Sequence, residues 1–212
     1  NFVGTLVELQ QIEMRVGAGR LSAKCSFDRA SEVFDIELTG TGVPMTLVTG
    51  LLPPSDSIPV MSGDLEFTAR VSGVYFRTQT YNINFSGSAP DVVVSENSIG
   101  RVEFSGQTVD QRLTAQLNAS LNGHPQVINA SIDFRTDNMP FTATTDFDQS
   151  PISPFLSFVP QLKGVPITGT GTGRVELAGD LGVLNAQGER VVSWSNLSGT
   201  ATFAQLAIQI RD

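Results

Sequence analysis

Apolar and polar residues alternate with a period of two along most of this chain. Val33 to Leu38, Leu65-Phe67-Ala69-Val71, Tyr81-Ile83-Phe85, Val102-Phe104, Leu113-Ala115-Leu117-Ala119-Leu121, Ile128-Ala130-Ile132-Phe134, Val175-Leu177 and Leu206-Ile208-Ile210 all follow it, with Asp, Glu, Arg, Thr, Ser, Asn or Gln between. Successive side chains of a strand point to opposite faces, so each stretch predicts a strand with one greasy and one wet face, the signature of an antiparallel sheet. The rhythm breaks at Gly17-Ala18-Gly19, Ser72-Gly73, Gly87-Ser88-Ala89-Pro90, Ser105-Gly106, Asn122-Gly123-His124-Pro125, Thr136-Asp137-Asn138, Ala178-Gly179-Asp180 and Gln187-Gly188, which read as turns. Parity changes between Phe203 and Leu206, predicting a bulge near Ala204-Gln205.

Two segments depart from the alternation, and they correspond to each other. Phe27, Phe34, Pro44, Pro53 and Pro59 recur 107 positions later as Phe134, Phe141, Pro151, Pro160 and Pro166; Gly63 and Gly73 recur after a one-residue slip as Gly169 and Gly179. Within this internal repeat, Ile152, Phe155, Leu156 and Val159 fall at helical spacing between Pro151 and Pro160, as do Leu47, Val48, Leu51 and Leu52 between Pro44 and Pro53. The chain therefore divides into a first β repeat over residues 1–107, with a short helix about 44–52, and a second over 108–212, with a helix about 151–159. A weaker echo, glycine followed by alternation at Gly4, Gly100 and Gly199, predicts a recurring linking strand. Repeats of this kind stack into a continuous surface rather than closing around one cleft. Both ends of the chain are in strand rhythm, as expected for a fragment of a longer protein.

Composition narrows the possible functions. Only 16% of the 212 residues are charged, against about 25% in ordinary soluble domains. The net charge of −8, with no basic cluster, argues against nucleic acid and anionic membrane surfaces as partners. No apolar run approaches the ~20 residues of a membrane-spanning helix. The single Cys25 lies in Leu21-Ala23-Cys25-Phe27 and reads as a small buried apolar residue.

Catalytic chemistry finds little support. One His124, in a predicted turn, offers neither metal-ligand spacing nor a nucleophile–base pair. Asp64, Glu66, Asp133 and Glu176 alternate with apolar residues and read as a solvated face. Gly169-Thr170-Gly171-Thr172-Gly173 lacks the Lys-Ser/Thr and the following helix of a phosphate loop. The Asn-x-Ser matches at Asn84, Asn118, Asn129 and Asn196 matter only in a secreted eukaryotic protein. No enzyme activity, metal or cofactor is expected.

The passage Leu162-Lys163-Gly164-Val165-Pro166-Ile167-Thr168-Gly169, continuing through Arg174-Val175-Glu176-Leu177-Ala178-Gly179 and followed by Asn196-Leu197-Ser198-Gly199-Thr200-Ala201, resembles a signature of the TamB and AsmA-like bacterial envelope proteins. The likeness is best over 128–210 and recurs more weakly over 21–73. It implies a long curled β-sheet of β-taco or half-pipe type, anchored at one end in the inner membrane and crossing the periplasm towards the outer membrane. It further implies a role in phospholipid movement and outer-membrane biogenesis, with an outer-membrane barrel assembly protein docking through regions outside this fragment.

The fold expected is all-β: an elongated, curled antiparallel sheet with an apolar concave face, interrupted by two short helices. Two helices of about two turns cannot cover a dozen strands spanning some 55 Å at about 4.8 Å each. The greasy face must close on itself, pack on a second sheet, or stay open to apolar ligands. The lipid groove expected on the first repeat comprises Leu65, Phe67, Val71, Ile83, Phe85, Val102 and Phe104. On the second it comprises Leu113, Leu117, Ile128, Ile132, Phe134, Val175, Leu177, Phe203, Ile208 and Ile210. The partners expected are phospholipid acyl chains and neighbouring repeats of the same chain. The alternative is a scaffold that pairs its edge with strands of outer-membrane proteins.

Overall fold

Alternation is realised as strand almost throughout. The computed structural model describes residues 4–49, 61–94, 97–121, 124–151, 167–184 and 190–208. In chain order the elements are β1 (Leu6–Val16), β2 (Gly19–Asp28), β3 (Val33–Pro44), α1 (Met45–Thr49), β4 (Met61–Ser62), β5 (Asp64–Val74), β6 (Arg77–Val94), β7 (Asn97–Val109), β8 (Arg112–Leu121), β9 (His124–Asp133), β10 (Pro140–Pro151), β11 (Ile167–Leu184) and β12 (Arg190–Ile208). They form one 12-stranded sheet in sequence order, with the short β4 paired to the end of β6, and every ladder is antiparallel.

The sheet is open: β1 and β12 are its two edges. Extensive contacts among the described residues run only between ladder neighbours, apart from α1 against β3 and β4. No second layer packs on either face among those residues, so the sandwich solution is not the one adopted. The elongated all-β antiparallel sheet expected from the alternation is the architecture found. Of the two expected helices, the first is the five-residue α1, with Pro44 closing β3; residues 50–52 and nearly all of 151–159 lie outside the described residues, with Pro151 closing β10.

The sequence repeat is a structural repeat. Phe34 on β3 faces Gly73 on β5, and Phe141 on β10 faces Gly179 on β11, so the recurring Phe and Gly are cross-strand partners in both copies. A bulge falls between Gly40 and Val43 in β3 and between the corresponding Phe147 and Ser150 in β10. Each sets two residues against one on the partner strand, which bends the sheet locally. The copies differ at the preceding turn. Phe27 faces Phe34, but Phe141 faces Ile132 rather than Phe134, a two-residue offset that leaves every side chain on its original face. The division at 107/108 falls inside β7, and the ladders run through it uninterrupted.

Several expected turns are corrected. Gly87, Gly106 and Gly179 lie within β6, β7 and β11, not at their ends, and Gly73 is the penultimate residue of β5. A Cβ at Gly106 would meet the Phe85 ring at 2.5 Å, one at Gly87 the Phe104 ring at 2.5 Å, one at Gly179 the Phe141 ring at 2.7 Å and one at Gly73 the Tyr81 ring at 2.8 Å. These glycines make room for an aromatic ring laid across from the next strand. The hairpins turn instead on Tyr75-Phe76 and Asp110-Gln111, with positive φ at Phe76, Asp110 and Gln111. His124 opens β9 opposite Leu121 rather than standing in a turn. The Gly4, Gly100 and Gly199 echo does not mark equivalent strands, because β7 runs opposite to β1 and β12. The bulge expected near Ala204-Gln205 is present, as the register shifts between Ala204 and Ala207.

One cluster is packed tightly. Val43, Leu65, Ala89, Val92 and Val102 meet at the end of the sheet where α1 sits, with Met45, Val94 and Ile99 packed against them. Burial on that scale stabilises by about 1.5 to 3 kcal/mol per large side chain.

A continuous apolar face as the candidate functional site

Following the ladders strand by strand shows which residues share a face. One row runs Phe67, Gly87, Phe104, Leu117, Ile128, Thr145, Val175 from β5 to β11. The next, two residues along each strand, runs Ala69, Phe85, Gly106, Ala115, Ala130, Ala143, Leu177. Flanking them, Val71 faces Ile83, Leu113 faces Ile132, and Ala89, Val102 and Ala119 line up beside Leu65. The rows therefore put Leu65, Phe67, Val71, Ile83, Phe85, Val102, Phe104, Leu113, Leu117, Ile128, Ile132, Val175 and Leu177 on one face.

The remaining four residues of the expected groove lie outside those rows. Phe134 lies beyond the end of β9, where its N–H donates to the Gln111 carbonyl and its ring stands 6.2 Å from that of Tyr81. Phe203 and Ile208 are placed by register opposite Gly171 and Ile167 on β12, and Ile210 lies outside the described residues.

The two faces differ in exposure as well as polarity. From Arg101 to Thr108 and from Arg112 to Ser120, every residue of apolar parity is buried or half-buried and every residue of polar parity is exposed. Leu113 is only 8% exposed although no second layer covers it among the described residues. On β7 and β8 the apolar face is thus the less exposed one, whereas Leu9, Ile128 and Val175 on the same face are 50%, 36% and 37% exposed. At the β1 side it deepens into a groove of about 630 Å³ lined by Val7, Leu9, Cys25, Phe27, Phe34, Ile36, Tyr75 and Tyr81. Its rings lock edge to face, Phe34 with Tyr81 at 5.6 Å and Phe27 with Tyr75 at 6.3 Å. A volume of this size suits a small apolar ligand.

Alternation could have found Phe27, Phe34 and Tyr81, which have the parity of the apolar face; Tyr75 sits in a hairpin turn and carries no such signal. Cys25 is half-buried in the groove wall and unbridged.

The cross-strand ion pairs lie on the other face. Arg70 donates to Asp35 through Nε at 3.1 Å and Nη2 at 2.6 Å, and Arg174 reaches Asp146 at 3.4 Å, across adjacent strands. Such exposed pairs register strands but contribute little stability. At the turn after β9, hydrogen bonds from the Arg135 side chain and backbone, with help from Arg112, hold the Asp133 carboxyl far below its ordinary range. At the equivalent turn after β2, hydrogen bonds led by Ser31 lower Asp28. Both carboxylates tie turns together. Among the described residues no group of His, Cys, Asp and Glu is arranged to hold a metal ion. Asp64, Glu66 and Glu176 sit on the polar face, facing away from the groove.

This arrangement can bind and shelter hydrocarbon along a path perpendicular to the strands. Comparison with known protein families, curated proteins and solved structures returns no match to this chain.

Proposed function

We propose that this chain is a length of apolar trough that shields and conducts lipid acyl chains, part of a periplasmic protein of the TamB and AsmA-like kind that links inner and outer membranes. The observation that carries this reading is the apolar face that continues from β1 to β11 with no second layer over it among the described residues. Nine strand steps at about 4.8 Å give a wall of about 43 Å. Each acyl methylene taken out of water gains about 0.8 kcal/mol, so a chain held in one deep pocket would leave slowly. Rows of equivalent contacts allow it to slide, because each step exchanges one strand's side chains for those of the next. The repeat serves this end, since two alike lengths of wall present the same surface twice. Native mass spectrometry of the purified chain should find co-purified phospholipid; a lipid-free chain that also takes up none from detergent micelles would refute the reading.

A second reading rests on the exposed edge. Strand β1 presents an unpaired ladder side and exposed Leu6, Leu9 and Met14, the surface a client strand of an outer-membrane protein would join by strand addition. Glu8→Pro in β1 removes a ladder donor. On this reading it abolishes client capture and spares lipid binding; on the trough reading alone it changes neither.

A further inference from the structure

The apolar face carries a buried polar cluster in the second repeat. Gln126, on β9, is 6% exposed and stands in the row Ala89, Val102, Ala119. Its Nε2 donates to Ser150 Oγ at 2.8 Å, and Ser150, 1% exposed, in turn donates to the Asp148 carbonyl at 3.2 Å. Among the described residues Gln126 Oε1 has no hydrogen-bond partner; the same is true of Thr145 Oγ1, also buried. Thr145 faces Ile128, two residues along β9 from Gln126, so the two polar groups are diagonal neighbours across the ladder.

The first repeat shows what the scaffold holds when nothing polar is needed. Register places Leu21 where the second repeat has Gln126, Leu38 where it has Thr145, and Val43, itself 1% exposed, where it has Ser150. Three apolar residues of one copy are thus three polar residues of the other, on the same face and beside the same bulge. Buried polar atoms left unpaired are rare in folded proteins and are explained by a bound water or ligand.

We propose that Gln126 and Thr145 form a polar notch in the trough that binds the ester region of a lipid, in particular an acyl ester with a neighbouring hydroxyl. The amide oxygen accepts the ligand's hydroxyl hydrogen, the threonine hydroxyl donates to its ester carbonyl, and the acyl chain lies on the apolar rows. The notch would give a sliding lipid a preferred stopping point in the second length of wall. This inference rests on the lipid-trough reading.

Binding of 1-oleoylglycerol and of 1-octadecene, which has neither hydroxyl nor ester, to the 212-residue chain separates the two claims. The wild type should prefer 1-oleoylglycerol by about tenfold, the worth of one or two buried hydrogen bonds. Gln126→Leu, the first repeat's own residue, and Thr145→Val, which keeps the shape, should each reduce that preference and leave 1-octadecene binding, which uses neither polar group, unchanged. Should Gln126→Leu melt early, Thr145→Val carries the test. Equal binding of both probes by the wild type overturns the notch and leaves the trough standing. A preference that survives both substitutions also overturns the notch, which then holds water only. Binding of neither probe overturns both.

Discussion

At the scale of single residues, the bulge shows how two copies of one design carry different strain. Gly42 in β3 and Gln149 in β10 are equivalent, and both hold a left-handed backbone, with φ of 62° and 43°. Glycine adopts that conformation freely, whereas a residue with a Cβ is disfavoured there by about 1 kcal/mol. Gln149→Gly should therefore raise the free energy of unfolding by about 1 kcal/mol in urea denaturation. The backbone hydrogen bond from Gln149 N to Thr172 Oγ1 at 3.0 Å needs no side chain and is kept. Asp133 makes a second prediction. Its folded pKa is depressed, chiefly by Arg135, so its contribution is complete above the unfolded value of about 3.9 and is lost as pH falls through the folded one. Asp133→Asn should lower the denaturation midpoint at neutral pH, with the gap to wild type closing progressively in acid below that value.

At the scale of elements, the strands were legible in the sequence and the glycines were not. Period-two alternation is local, so the parity of Leu65, Phe67, Ile83, Phe104 and Leu117 could be read from neighbours in the chain. The role of Gly87 or Gly106 depends on what faces it across a ladder, and no local signal carries that. Each looked like a turn because glycine is common in turns; each is an interior strand position kept bare for Phe104 or Phe85. The true hairpins at Tyr75-Phe76 and Asp110-Gln111 were hidden for the converse reason, being bulky or polar residues, with Phe76, Asp110 and Gln111 at positive φ. A Cβ added at Gly106 would press on both the Phe85 ring and the Thr114 carbonyl, the latter at 2.9 Å. Gly106→Ala should cost about 2 kcal/mol, the usual penalty of overpacking, and Phe85→Leu should recover part of it in a double-mutant cycle.

At the scale of the whole molecule, what matters is that one sheet presents one apolar face without a covering layer among the described residues. The sequence repeat pointed to alike lengths of wall. The structure adds that their recurring Phe and Gly pair across strands, and that the copies diverge at three positions where apolar side chains give way to polar ones. Phe134 marks the limit of reading a repeat by alignment: its sequence counterpart Phe27 lies in a strand, but a turn two residues longer in register carries Phe134 beyond the end of β9. The central claim is that acyl chains travel on the apolar face. Site-specific photocrosslinking in cells tests it directly, with the reactive side chain placed at Phe104 or Ile132 on that face and at Ser105 or Gln116 on the other. The trough predicts phospholipid adducts from Phe104 and Ile132 and none from Ser105 and Gln116; adducts confined to the polar-face positions would contradict it.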